Sequence, residues 1–112
     1  MFESQVQAGV ARLNDWIPGW LDHVDVDTLD MVSATDCVAG QVGRKLLGSV
    51  WSPFSTTLRA LNIPLHNEAE FGFDISENIR SDGDRYGAYA ALHAEWTRVI
   101  TDLQVASIAH LS

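Results

Sequence analysis

The side chains able to carry chemistry in this 112-residue chain are few: one cysteine, four histidines and several clusters of carboxylates. Cys37 sits at the predicted start of a helix, where the positive end of the helix dipole lowers a thiol pKa and favours a nucleophile. The adjacent Asp36 acts in the opposite sense. A thiol enzyme also needs a base, and His23, His66, His93 and His110 are scattered without a local signature. Cys37 therefore reads as a small buried thiol, and a thiol-dependent enzyme survives only if Cys37 lies in an open cleft near a histidine.

Metal chemistry fares no better on spacing. His93-Ala94-Glu95 imitates the H-x-E half of a zinc deaminase site, but the P-C-x-x-C half is absent and one cysteine cannot supply it. No pair has zinc-finger or H-E-x-x-H spacing. Asp25, Asp27 and Asp30 suggest a calcium loop, yet Leu29, Asp30 and Asp36 stand where that loop needs Asp or Asn, Gly and Glu. No metal and no cofactor is expected. Gly40-Gln41-Val42-Gly43-Arg44-Lys45 is not a phosphate-binding loop, because no glycine directly precedes the lysine and no Ser or Thr follows it. It reads as close helix packing with a basic helix end.

Binding is the remaining chemistry. Trp16, Trp20 and Trp96 are expected in the core, Trp96 most firmly. Trp51 differs, because it sits in the connection Gly48-Ser49-Val50-Trp51-Ser52, and a loop tryptophan is a candidate interface anchor. Asp22, Asp25, Asp27 and Asp30 form an acidic stretch that is a second candidate for partner contact. An alternative reading makes the acidic surface a DNA mimic that occupies the basic groove of a nucleic-acid-binding enzyme. That alternative requires Asp22, Asp25, Asp27, Asp30, Asp82 and Asp84 to align on one face.

The elements that must position these residues are helical by pattern. Val6, Val10, Leu13 and Ile17 recur at spacings of four, three and four, Ser4 and Gln7 form a capping box, and Pro18-Gly19 stops the helix. Asp22 to Asp30 alternates Val24 and Val26 with aspartates, and is read as an extended linker with Leu29 tucked inward. A second helix begins after Asp36 as cap and runs to about Leu47. Ser52-Pro53 opens a third, with Phe54, Leu58 and Leu61 buried and Asn62-Ile63-Pro64 ending it. A turn or two of helix fits between Asn67 and Phe71, with Asn67 as cap and Gly72 as stop. Ile75 to Asp84 reads as a polar loop, and Ser81-Asp82-Gly83-Asp84 as a turn. From about Arg85, Tyr89, Leu92, Trp96, Val99 or Ile100, and Leu103 mark a long amphipathic helix.

Composition sets the frame. Hydrophobic residues make up 46% of the chain, enough for one core without disulfides or metal. A single cysteine fits a reducing cytoplasm, and no stretch has the length of a signal peptide or a membrane span. The net charge of −8 is uneven: residues 1–36 carry −6, residues 37–65 carry +3 and residues 66–84 carry −5. Such a chain is repelled by phosphate backbones, so no direct nucleic-acid or membrane partner is expected.

The order of features resembles a set of small uncharacterised proteins of actinobacteria and their bacteriophages. The residues that carry the resemblance are Ile17-Pro18-Gly19-Trp20, Val26-Asp27-Thr28-Leu29-Asp30 and Cys37-Val38-Ala39-Gly40-Gln41. Leu58 to Ile63, Glu70-Phe71-Gly72-Phe73-Asp74, and Tyr89, Leu92, Trp96 and Ile100 complete it. Ala39 and the long stretch from Arg44 to Pro53 depart from the pattern. The resemblance implies a phage or prophage accessory product and brings no catalytic residue with it.

Together these readings predict one all-α domain over residues 1–112. It is a small orthogonal bundle of three main helices and one or two short ones, with the C-terminal helix central. The expected function is non-enzymatic binding of a host protein in the host cytoplasm, as a monomer or homodimer, through Trp51 and the acidic stretch.

Overall fold

In a computed structural model the chain folds as an all-helical orthogonal bundle, with no strand among the described residues. The structure describes residues 2–64, 66–76, 79 and 81–111, the last four of these by backbone alone. Four α-helices follow in order: α1 Glu3–Trp16, α2 Val38–Lys45, α3 Pro53–Ala60 and α4 Asp82–Leu111. Short 3-10 turns at Trp20–His23 and Glu68–Phe71 bridge them.

The 30 residues of α4 span about 45 Å at 1.5 Å per residue, which accounts for the 46 Å long axis of the molecule. Ala88, Leu92, Trp96, Val99 and Ile100 are its buried stripe, so the core is built along this helix as the periodicity predicts. Trp96 is the hub. Phe73 stacks on its ring at 5.7 Å, Trp20 meets it edge-on at 6.4 Å, and its indole nitrogen donates to the Gly72 carbonyl. Aromatic contacts of this kind contribute about 0.5–1.5 kcal/mol each beyond their buried area. α1 crosses this cluster at Gly9, where any Cβ would overlap the Phe71 carbonyl and press on the Trp96 ring.

α2 and α3 form a second unit held by the same device. A Cβ on Gly43 would overlap the Pro53 carbonyl, so glycine is what lets α3 start against the last turns of α2. Thr57, fully buried between the two helices, donates its hydroxyl to the Ala39 carbonyl at 2.6 Å and shares it with Pro53 at 3.0 Å.

Several local expectations are corrected. α1 starts at Glu3, with Phe2 at its cap position and no side-chain cap, so the Ser4–Gln7 capping box does not form. Phe2 packs against the core, and the helix starts two residues earlier than a Ser4 cap would place it. Cys37, not Asp36, caps α2, and α2 ends at Lys45 rather than Leu47. Asn67 gives no side-chain cap to the turn that follows it. The tetrapeptide Ser81 to Asp84 is no free turn but the start of α4, where the Ser81 hydroxyl accepts from the Asp84 amide. The loop before it is accordingly shorter, Ile75 is buried, and residues 77, 78 and 80 of the predicted loop lie outside the described residues. Trp16 is 53% exposed, because it lies one residue off the inward stripe that ends at Ile17. Arg12 lies over its ring at 5.7 Å and over Phe71 at 4.9 Å, while donating to the Leu61 carbonyl.

The segment between the first 3-10 turn and α2, expected as an extended linker, is folded into successive turns, with Leu29 buried as expected. With no neighbouring strand, its backbone groups need other partners. Two glutamines supply them. Gln104 on α4 donates to the carbonyls of Leu21 and Val24. The fully buried Gln41 accepts from the Asp25 amide at 2.7 Å and donates to the carbonyls of Asp25 and Asp36.

Candidate functional site

Three surfaces hold the residues singled out by sequence. The first is the connection between α2 and α3. The Leu46 and Leu47 amides both donate to the Val42 carbonyl, Gly48 turns the chain with a φ of 70°, and the Ser49 amide donates to Gly43. The Thr56 hydroxyl then bonds Ser49, and Ser52-Pro53 opens α3. A loop tied at both ends presents its tip at little entropic cost. At that tip Val50 is 78% exposed and Trp51 94% exposed. Arg44 and Lys45 close α2 immediately before it; Arg44 pairs with Asp36 at 3.3 Å and Lys45 donates to Gln41. Large apolar side chains held this far into solvent have no role in the chain's own packing.

The acidic stretch is the second surface. Asp22, Asp25, Asp27 and Asp30 are all exposed. Two of the carboxylates bind neighbouring backbone: Asp25 accepts from the Asp27 amide and Asp30 from the Val32 amide, each stabilising a turn. The hydrogen-bond path from Lys45 through Gln41 to Asp25 hangs this stretch and the Trp51 connection from the same helix, α2.

The third surface is a cleft beside Cys37, with walls from Met31, Val32, Cys37, Phe54, Phe73, Asp74 and Tyr89. The Cys37 sulfur accepts from the Gly40 amide at 3.3 Å, and burial pushes its thiol up to about 11. A thiol so shifted is almost wholly protonated at neutral pH, the reverse of an activated nucleophile. No histidine lines this part of the cleft. His23 is half-buried, His66 is exposed, and the His110 side chain lies outside the described residues. His93 lines the adjoining hollow, with Asp30, Tyr86 and Tyr89. Tyr89 donates to Asp74 at 2.7 Å, and burial together with that bond pushes its hydroxyl up to about 12. Neither Asp74 nor Tyr89 carries a sequence signature for this pairing, since fifteen residues and a loop separate them.

Among the described residues, no three His, Cys, Asp or Glu side chains are grouped to hold a metal ion. No described helix is long and apolar enough to cross a membrane. No protein family, curated protein or solved structure matches the chain. Of the residues singled out by sequence, Trp51 is the large side chain left most exposed, on a connection tied by hydrogen bonds on either side of it.

Proposed function

We propose that this protein is a non-enzymatic binding module that seats Trp51 in a pocket of a protein partner. The observation that carries this is the 94% exposure of Trp51 on a connection tied down by backbone and hydroxyl hydrogen bonds. A tryptophan buries roughly 150–250 Å² when covered, worth several kcal/mol of gross transfer energy at about 25 cal/mol per Å². Anchors of this type commonly dominate an interface. Val50 and Leu47 are further exposed apolar side chains of the same connection.

The resemblance to actinobacterial and phage proteins supports a phage or prophage accessory product whose partner is a host protein, acting in the host cytoplasm. Affinity capture from an actinobacterial lysate with the wild-type chain and with Trp51→Ala tests both statements. A specific protein retained by the wild type and lost with Trp51→Ala is the expected result. Equal recovery by both chains, or no specific protein at all, would overturn it. The DNA-mimic reading draws no support from the acidic stretch, where Asp25 and Asp30 each turn a carboxylate oxygen onto their own backbone. The thiol-enzyme reading draws none from a buried, protonated Cys37.

A further inference from the structure

The cleft beside α4 is not used by the Trp51 surface. It comprises two adjoining hollows of about 110 and 160 Å³ that share Met31, Val32 and Tyr89 as walls. Together they fall just short of the roughly 300 Å³ at which small-molecule sites usually begin, which suits one ring and a short chain. We propose that this cleft binds a small organic ammonium ion with an apolar body, seated between the carboxylates of Asp30 and Asp74 and against the ring of Tyr86.

The wall chemistry selects that class. Phe54, Phe73, Met31 and Val32 provide an apolar bed, and Asp74 and Asp30 lie in the two hollows. His93 is the one basic side chain lining either of them. Tyr89 and the Ile75 amide donate to Oδ1 of Asp74 and the Val32 amide to Oδ1 of Asp30, which directs an ammonium to Oδ2 of each. Cys37 and Tyr89 stay protonated at neutral pH, so they add hydrogen-bonding groups and no charge. The Tyr89 ring already holds a cation, the Arg85 guanidinium 5.9 Å from its centre and tethered to the Ile79 carbonyl, so the ring left for the ligand is that of Tyr86. The Tyr86 ring at the rim is 80% exposed and open to a second one. Anions are repelled by the two carboxylates and by the net charge of −8.

The chain has two methionines, Met1 and Met31, so methyl-labelled methionine gives one reporter inside the cleft and one far from it in sequence. The full chain is titrated with 2-phenylethylammonium and with benzyltrimethylammonium, and in parallel with neutral 2-phenylethanol and anionic 3-phenylpropionate. The expected result is a saturable shift of the Met31 methyl signal by the ammonium probes, with the alcohol about tenfold weaker and the carboxylate inert. Asp30→Asn and Tyr86→Ala change exposed positions, and each weakens the ammonium by roughly threefold or more with the melting midpoint checked alongside. No saturable shift up to about 20 mM of either ammonium would overturn the proposal. So would equal binding of the alcohol, or unchanged affinity in both variants.

Discussion

Replacing Gln41 with leucine keeps a side chain of similar size and helix preference but deletes the three hydrogen bonds by which Gln41 ties the 24–36 segment to α2. This leaves only the exposed Arg44–Asp36 pair between the side chains of α2 and that segment. The loss can be worked from the partners. The Asp25 amide loses its 2.7 Å acceptor, and an orphaned donor of this kind costs about 1–3 kcal/mol. The two carbonyls suffer less. Asp36 still accepts from the Asp30 amide, and Asp25 from the Thr28 hydroxyl, so each loses about 0.5–1 kcal/mol. Leucine recovers about 1 kcal/mol through its buried methyls. The net destabilisation is about 2–3 kcal/mol, which lowers the melting midpoint by about 10 °C in a domain of this size. Urea unfolding followed by far-UV circular dichroism measures the energy, and native-state hydrogen exchange at the Asp25 amide locates it. A loss under about 0.5 kcal/mol, or unchanged protection at Asp25, would refute the role assigned to this glutamine.

The other substitutions separate buried from presented side chains. Trp96→Ala removes the ring that Trp20 and Phe73 pack against, and should cost about 3–5 kcal/mol in the same unfolding assay. Trp51→Ala, by contrast, should change stability by less than about 0.5 kcal/mol. Gly43→Ala forces a methyl into the Pro53 carbonyl and should destabilise by about 2 kcal/mol or more, although alanine is the better helix former. For Cys37 the folded pKa of about 11 lies above the ordinary 9.0, so its contribution is full below pH 9 and is lost as pH rises through 11. Stability should therefore fall by about 2–3 kcal/mol across that window, and Cys37→Ala should lessen the fall. At pH 8 the native thiol should react with a disulfide reagent about a hundredfold more slowly than in urea.

What the sequence revealed and what it hid divide along a physical line. The helices were legible where one face meets one core: the stripe from Leu92 to Ile100 and the Val6 to Ile17 series appear as predicted. Ser52-Pro53 likewise marks the start of α3, because proline at the first helical position is a local constraint. The exposure of Trp51 was legible because its neighbours are loop residues. The caps were not, since Cys37 displaced Asp36 once the Asp36 carboxylate was taken by Arg44. The alternating Val24 and Val26 were ambiguous because their backbone partners, Gln41 and Gln104, are remote in the chain. The Asp74–Tyr89 bond was hidden for the same reason.

The central claim is that Trp51 is an anchor for a protein partner, and the affinity of the captured partner for Trp51→Ala tests it most directly. Isothermal titration should show a loss of about 30-fold or more, the signature of an anchor worth at least about 2 kcal/mol, with an unchanged melting midpoint. Val105→Ala, at another exposed apolar position, should bind as tightly as the wild type. An affinity for Trp51→Ala equal to that of the wild type would contradict the account.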